Sequence, residues 1–323
     1  MTRSRRGRRA LSALGLLLAS LAATGQALAG PSGLAWTSGA RVSDLPSCLA
    51  ALRKRPLDVA MTFANHGSWA QLEGFLAGPF WKARIRAAPI GVVSLALLPE
   101  DHPRQFAQCN AGKFDAEYGK IGTILAQSGA GQLVVRLGWE ANTAGSHAWV
   151  PTAQADIGAF KQCWIRARNI IHAKLGAHPH KFEQSLAKNG RFNINQMTYW
   201  VGRQYADILG AHYYDSGFVA TTSWAAASVK TGPGGGPQGI TTWYNAARTA
   251  GVRLAVPEWA LWNANNPHPD DPAYLHNMKA WFKAHAAGLA YETYFNVGAS
   301  HQLCSTTRYP KGRAAYASDW GAG

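Results

Sequence analysis

The pattern that most constrains this chain is an alternation. From about residue 34 to residue 296, short apolar runs take turns with stretches whose apolar residues fall three or four apart. Runs of 4–8 such residues read as strands, and the wider spacing reads as helix. Strands are expected at residues 34–36, 57–63, 90–97, 132–137, 180–186, 208–213, 253–256 and 290–296. Helices are expected at 45–55, where Leu45, Leu49 and Leu52 share a face, and at 114–127, 157–175, 241–250 and 271–287. About eight strand–helix units with parallel crossovers imply an α/β protein, a single-domain (β/α)8 TIM barrel. The alternative is a doubly wound open sheet. That fold needs a glycine-rich turn after its first strand, and Trp36-Thr-Ser-Gly39 is not one. The loosest stretch, residues 231–239, is too short for a domain linker.

The first 29 residues read differently. Arg3, Arg5, Arg6, Arg8 and Arg9 precede an apolar run to about Ala23, then Ala27-Leu28-Ala29. A basic head, a short apolar middle and a small-x-small site make a secretory signal peptide. The apolar run falls short of the ~20 residues that span a bilayer. Residues 30–323 are therefore expected as the single barrel domain, periplasmic or extracellular, without stable membrane insertion and as a monomer. The formal charge is +15, and about +10 remains once the five leader arginines are removed. These cations are scattered, so nucleic acid is not the expected partner; an acidic polysaccharide or an anionic cell envelope is the better candidate for what the charge attracts. Cys48, Cys109, Cys163 and Cys304 can form one or two disulfides in an oxidising compartment, with three full pairings open. No cysteine pair has Cys-x-x-Cys spacing, and neither metal nor cofactor is expected.

Barrel enzymes place their chemistry at the C-terminal ends of the strands. The chain has only 17 acidic residues. Two of them follow strand-like runs directly: Glu140 after Leu133-Val-Val-Arg-Leu-Gly-Trp139, and Glu258 after Leu254-Ala-Val-Pro257. Two carboxyl groups facing each other suit glycosidic cleavage, one as proton donor and the other as nucleophile. Tryptophans offer broad apolar faces for sugar rings. Of the 13 in the chain, Trp36, Trp69, Trp139, Trp149, Trp259 and Trp262 are expected near these mouths. Asn65, His66, His147, Tyr294, Asn296 and His301 are weaker candidates to line the site.

These motifs resemble those of family 26 glycoside hydrolases, the β-mannanase-type clan A barrels. In Val135-Arg-Leu-Gly-Trp-Glu-Ala-Asn142, Arg136, Glu140 and Asn142 match the acid/base motif, with Trp139 where the family has histidine. Ala255-Val-Pro-Glu-Trp259 resembles the nucleophile motif. Gly112-Lys-Phe-Asp115 and Phe160-Lys-Gln-Cys-Trp-Ile-Arg166 resemble flanking helix motifs. In residues 202–215, Tyr205, Asp207, Gly210 and Tyr214 match, with His212 at the family's usual aspartate. The resemblance spans roughly residues 110–300. It implies retaining hydrolysis with Glu140 as acid/base and Glu258 as nucleophile, their carboxyl groups about 5–5.5 Å apart. The substrate would be a β-linked polysaccharide such as mannan, a β-glucan or a bacterial exopolysaccharide. A non-catalytic carbohydrate-binding barrel, or a transglycosylase using the same glutamates, is the competing reading.

Overall fold

Eight parallel strands close on themselves in chain order, β1 pairing with both β2 and β8. The computed structural model describes residues 30–43, 47–145, 147–264, 266–305 and 307–321. The expected signal peptide, residues 1–29, and Leu45 of the first expected helix lie outside them. The strands are β1 (Ser38–Arg41), β2 (Val59–Phe63), β3 (Ile90–Leu95), β4 (Gln132–Leu137), β5 (His180–Ala187), β6 (Ile208–His212), β7 (Arg253–Trp259) and β8 (Leu289–Tyr294). Around them run α1 (Cys48–Arg53), α2 (Trp69–Ala77), α3 (Pro79–Ile85), α4 (Phe106–Asn110), α5 (Asp115–Ala126), α6 (Ile157–Leu175), α7 (Phe218–Thr221), α8 (Trp224–Ala227), α9 (Ile240–Thr249), α10 (Pro272–His285), α11 (Gly298–His301) and α12 (Pro310–Asp319). This is the (β/α)8 barrel.

Two layers of core hold it. Strand residues alternate sides, and Val59, Met61, Val92, Val134, Ile208, Ala255 and Tyr291 fill the inside of the barrel. The other strand faces pack under the helices. On α6, Ile157, Phe160, Trp164, Ala167, Ile171 and Leu175 are buried at three- and four-residue steps. Trp164 is wholly buried and its indole N–H donates to Leu137 O at 2.9 Å, at the end of β4. Cutting it to alanine would cost about 3–5 kcal/mol. Helix starts follow local chemistry: the Ser68 hydroxyl accepts from Gln71 N at α2, and Asp271 accepts from Ala273 N ahead of Pro272 at α10.

The first strand lies later than expected, at Ser38–Arg41 rather than 34–36. Ser-Gly-Ala-Arg is a poor apolar run, yet close approach to β2 selects it: a Cβ on Gly39 would lie 2.2 Å from Val59 O. Helices α2 and α3, absent from the expected set, fill the β2–β3 crossover. Among the described residues no helix is long and apolar enough to cross a membrane. Two disulfides form, Cys48–Cys304 and Cys109–Cys163.

Candidate active site

Strand β4 is in regular register with β3 and β5, so Val134 and Arg136 both point inward. Arg136 is fully buried beneath the mouth of the barrel. Its guanidinium donates to Ser185 Oγ (2.7 Å) and Ser94 Oγ (2.9 Å), and it makes short bonds to Glu258 Oε1 and His212 Nε2. Beyond β4 the chain turns sharply. Gly138 and Glu140 both have positive φ, 58° and 56°. That region is uncommon for a glutamate and costs of order 1–3 kcal/mol. The turn is fixed by Glu140 N donating to Ser185 O at 3.1 Å.

Glu258 arrives by another route. Pairing between β6 and β7 jumps from Gly210↔Ala255 to His212↔Glu258, and pairing with β8 shifts in the same segment. This is a β-bulge, and Pro257, which has no N–H to give to a ladder, sits in it. The extra residue reverses the alternation, so Glu258 points into the cavity and Trp259 points out. Two hydrogen bonds hold the Glu258 carboxylate: from Arg136 to Oε1, and from Tyr214 OH to Oε2 at 2.6 Å. Burial by itself would raise its pKa, but His212, Arg136 and Tyr214 together hold it below the ordinary carboxylate value. Burial raises Tyr214, reinforced by Glu258, so the phenol stays a donor.

His212 lies between the two glutamates. Nδ1 is 2.7 Å from Glu140 Oε1, and Nε2 is 3.4 Å from Glu258 Oε1. Nδ1 thus faces Glu140 while Nε2 faces both Arg136 and Glu258, so the ring bridges the two carboxyl groups. The donor atoms of Glu140, His212 and Glu258 all fall within 4.8 Å of one another. Behind them, Glu183 faces Arg136 Nε at 3.5 Å, bonds Ser185 and receives Tyr291 OH. Burial raises its pKa against the pull of Arg136. A Cβ on Gly210 would meet the Glu183 carboxylate at 2.4 Å, so the glycine makes room for this network. Deleting Arg136 would strand buried carboxyls at a cost of about 3–5 kcal/mol.

Above the pair opens a cavity of about 630 Å³, lined by Phe63, Trp139, Lys188, Tyr214, Trp262, Phe295 and His301 as well as the two glutamates and His212. Trp262 is half-buried, its ring 5.1 Å from Tyr214 and 5.0 Å from His301. A depression of about 690 Å³ at the opposite end, among the strand starts Ile90, Gln132 and Arg253, has Asp207 as its one carboxylate among the described residues. It offers no acid pair.

The structure sorts the other sequence candidates. Arg136, Trp139, His212, Tyr214 and Trp262 gather at the cavity or directly beneath it. Asn142 is buried and cross-links loops instead, donating to Ala187 O and Gln196 and accepting from Ala187 N. Trp36 and Trp259 pack in the outer layer, both donating to Glu292, because Trp36 precedes β1 and the bulge turns Trp259 outward. Trp69 packs on Phe114 and Tyr118. Trp149 is fully buried, donates to Trp139 O at 2.8 Å and stacks on His147. Tyr294 is buried against Trp259. Asn296 binds Leu303 N at 2.8 Å and braces the segment carrying Cys304. Asn65 accepts from Gly67 N. His66 and His147 meet at Glu100, beside the cavity rather than in its lining. Sequence reasoning missed Phe63, Phe295 and Lys188 in the cavity and Glu183 beneath it. Strand parity in β5 was the available signal for Glu183, two residues before Ser185.

Two motifs far from the mouth also find each other. Arg166 of α6 donates through Nε (2.7 Å) and Nη2 (2.6 Å) to both Asp115 oxygens of α5. A Cβ on Gly112 would lie 2.4 Å from that guanidinium.

Fold and site together define an eight-stranded barrel with two facing glutamates at its mouth, one in the turn after β4 and one on β7. The fold is shared with solved structures of mannanases and of a further GH26 protein. A Cellulomonas fimi endo-β-1,4-mannanase double mutant superposes at TM-score 0.59 with 16% identity, over 88% of this chain and 70% of that one. Bacillus subtilis mannanase man26 gives 0.58 and 14% over 91% and 88%, and GH26C from Muricauda sp. 0.57 and 12% over 88% and 82%. No protein-family model and no curated protein sequence matches the chain.

Proposed function

We propose that this protein is an exported, retaining glycoside hydrolase, endo-acting on a β-linked polysaccharide. One observation carries the reading: oxygens of Glu140 and Glu258 lie within 4.8 Å across the cavity floor. Retaining glycosidases hold their carboxyl groups about 5–5.5 Å apart, and inverting ones about 6.5–9.5 Å. Glu258, held ionised by Arg136, Tyr214 and His212, attacks the anomeric carbon. The leaving oxygen takes its proton from Glu140, and a covalent glycosyl-enzyme forms. Water then gives a proton to Glu140 and attacks the same carbon, releasing Glu258. The two disulfides and the basic, short-apolar leader support export. The mannanase names among the fold neighbours support mannan as the first substrate to try, and the net positive charge favours polymers with acidic substituents.

A panel of mannan, mixed β-glucan and acidic bacterial exopolysaccharide, with products separated by size, tests this. Release of oligosaccharides that disappears in Glu258→Gln, with the fold intact, is expected. The second reading, a non-catalytic binding barrel, starts from Trp139 in the position of a histidine. His212 opposes it, because it already supplies a hydrogen bond between the carboxylates. Binding of the polymers with no new reducing ends would favour that reading.

A further inference from the structure

We propose a divalent transition-metal site, best suited to zinc, formed by His66, Glu100 and His147 beside the cavity. The three residues come from the loops after β2, β3 and β4. His147 Nδ1 is 2.8 Å from Glu100 Oε1, His66 Nδ1 is 3.3 Å from the same oxygen, and all three donor atoms lie within 4.8 Å of one another. Bonds of about 2.0–2.2 Å in tetrahedral geometry require ligand atoms roughly 3.3–3.5 Å apart, so only small shifts seat an ion. Two imidazoles and one carboxylate suit zinc and related first-row ions, whereas calcium and magnesium want oxygens.

Hydrogen bonding alone does not account for the cluster. Glu100 Oε2 is already taken by Ala148 N at 3.0 Å, which leaves Oε1 aimed between the two rings. His147 satisfies Oε1, and His66 Nδ1, shielded from solvent, then makes no hydrogen bond. A cation facing three lone pairs resolves that arrangement.

The site is also held in place. Glu100 N donates to His66 O at 2.8 Å and Asp101 N to Gly67 O at 3.2 Å, tying two of the loops by backbone. His147 stacks on Trp149 at 4.4 Å. The side chains keep 28–37% of their exposure, so water can fill the remaining coordination position. Both imidazoles meet Trp139 edge-on, at 5.7 and 5.5 Å. The ion would therefore clamp three loops around a side chain that lines the cavity. The chain lacks a local metal motif because Glu100 and His147 are 47 residues apart.

Zinc chloride titrated calorimetrically into the chelator-stripped protein is the test, with cobalt absorption as a spectroscopic check. One equivalent should bind. Glu100→Gln, nearly isosteric, should weaken binding by at least about 100-fold, beyond the cost of losing an outer-shell partner. His147→Ala should do the same, and zinc should raise the unfolding temperature of the wild type but not of Glu100→Gln. Glu140→Gln should bind zinc as the wild type does. Absence of binding at submillimolar zinc, or binding that survives Glu100→Gln, would overturn the proposal. So would binding lost in Glu140→Gln, because the ion would then belong to the Glu140–His212–Glu258 group.

Discussion

His212 Nδ1 lies 2.7 Å from Glu140 Oε1, at the end of a strand that also delivers the tyrosine bound to Glu258. One buried imidazole thus sets the orientation of the Glu140 carboxyl while its other nitrogen is braced by Arg136. Replacing His212 by Asn removes that bridge and lets Glu140 swing toward solvent. Misplacement of a reacting group by about 1 Å costs roughly 100-fold in rate. His212→Asn should lower kcat by about that factor with an unchanged circular dichroism spectrum. A wild-type kcat would show that the bridge is incidental.

Tyr214 gives Glu258 a hydrogen bond that favours its ionised form. Tyr214→Phe removes one of the causes that hold this carboxyl below its ordinary value, so its pKa must rise. A hydrogen bond to a charged group is worth about 1.5–3 kcal/mol, and about 1.4 kcal/mol is one pH unit. The acidic limb of kcat/KM should move up by about one to two units in Tyr214→Phe. Movement downward, or none, would remove Tyr214 from the account.

Trp262 presents an indole at the rim of the cavity, against Tyr214 and His301. Aromatic stacking contributes about 0.5–1.5 kcal/mol beyond area burial. Trp262→Ala should therefore raise KM up to about tenfold and leave kcat within about twofold. An effect confined to kcat would place the ring in the chemistry rather than in sugar binding.

The Cys109–Cys163 bridge joins α4 to α6 across 54 residues. By chain entropy a loop of that length is worth about 4 kcal/mol, within a usual range of 2–5. The Cys109→Ala, Cys163→Ala double variant should lose stability of that order in urea unfolding. A change below about 1 kcal/mol would show that helix packing alone fixes this corner.

Where local pattern and final environment agree, the structure could be read in advance. Strand β4 and helix α6 lie where the apolar spacing puts them, and the turn just after β4 carries Glu140, which the spacing singled out. The chain hides other features for physical reasons. The bulge at Pro257 is a pairing event between three strands. It sends Trp259 outward, whereas simple adjacency to Glu258 suggested the cavity. Trp36 and Trp149 are large apolar faces that the core claimed, a use that composition does not distinguish from sugar stacking. Glu183, Ser94 and the Ser185 hydroxyl meet at Arg136 from strands separated from β4 in sequence. Asn142 matches a motif, yet its amide is consumed by Ala187 and Gln196.

The central claim is that Glu258 is the nucleophile and Glu140 the acid/base, and azide rescue with an activated aryl glycoside separates the two roles. In Glu258→Ala, azide enters from the vacated face, and the account predicts a glycosyl azide of inverted configuration. In Glu140→Ala, azide intercepts the glycosyl-enzyme, and the product should keep the substrate's configuration. The same configuration from both variants, or inversion only in Glu140→Ala, would contradict the assignment.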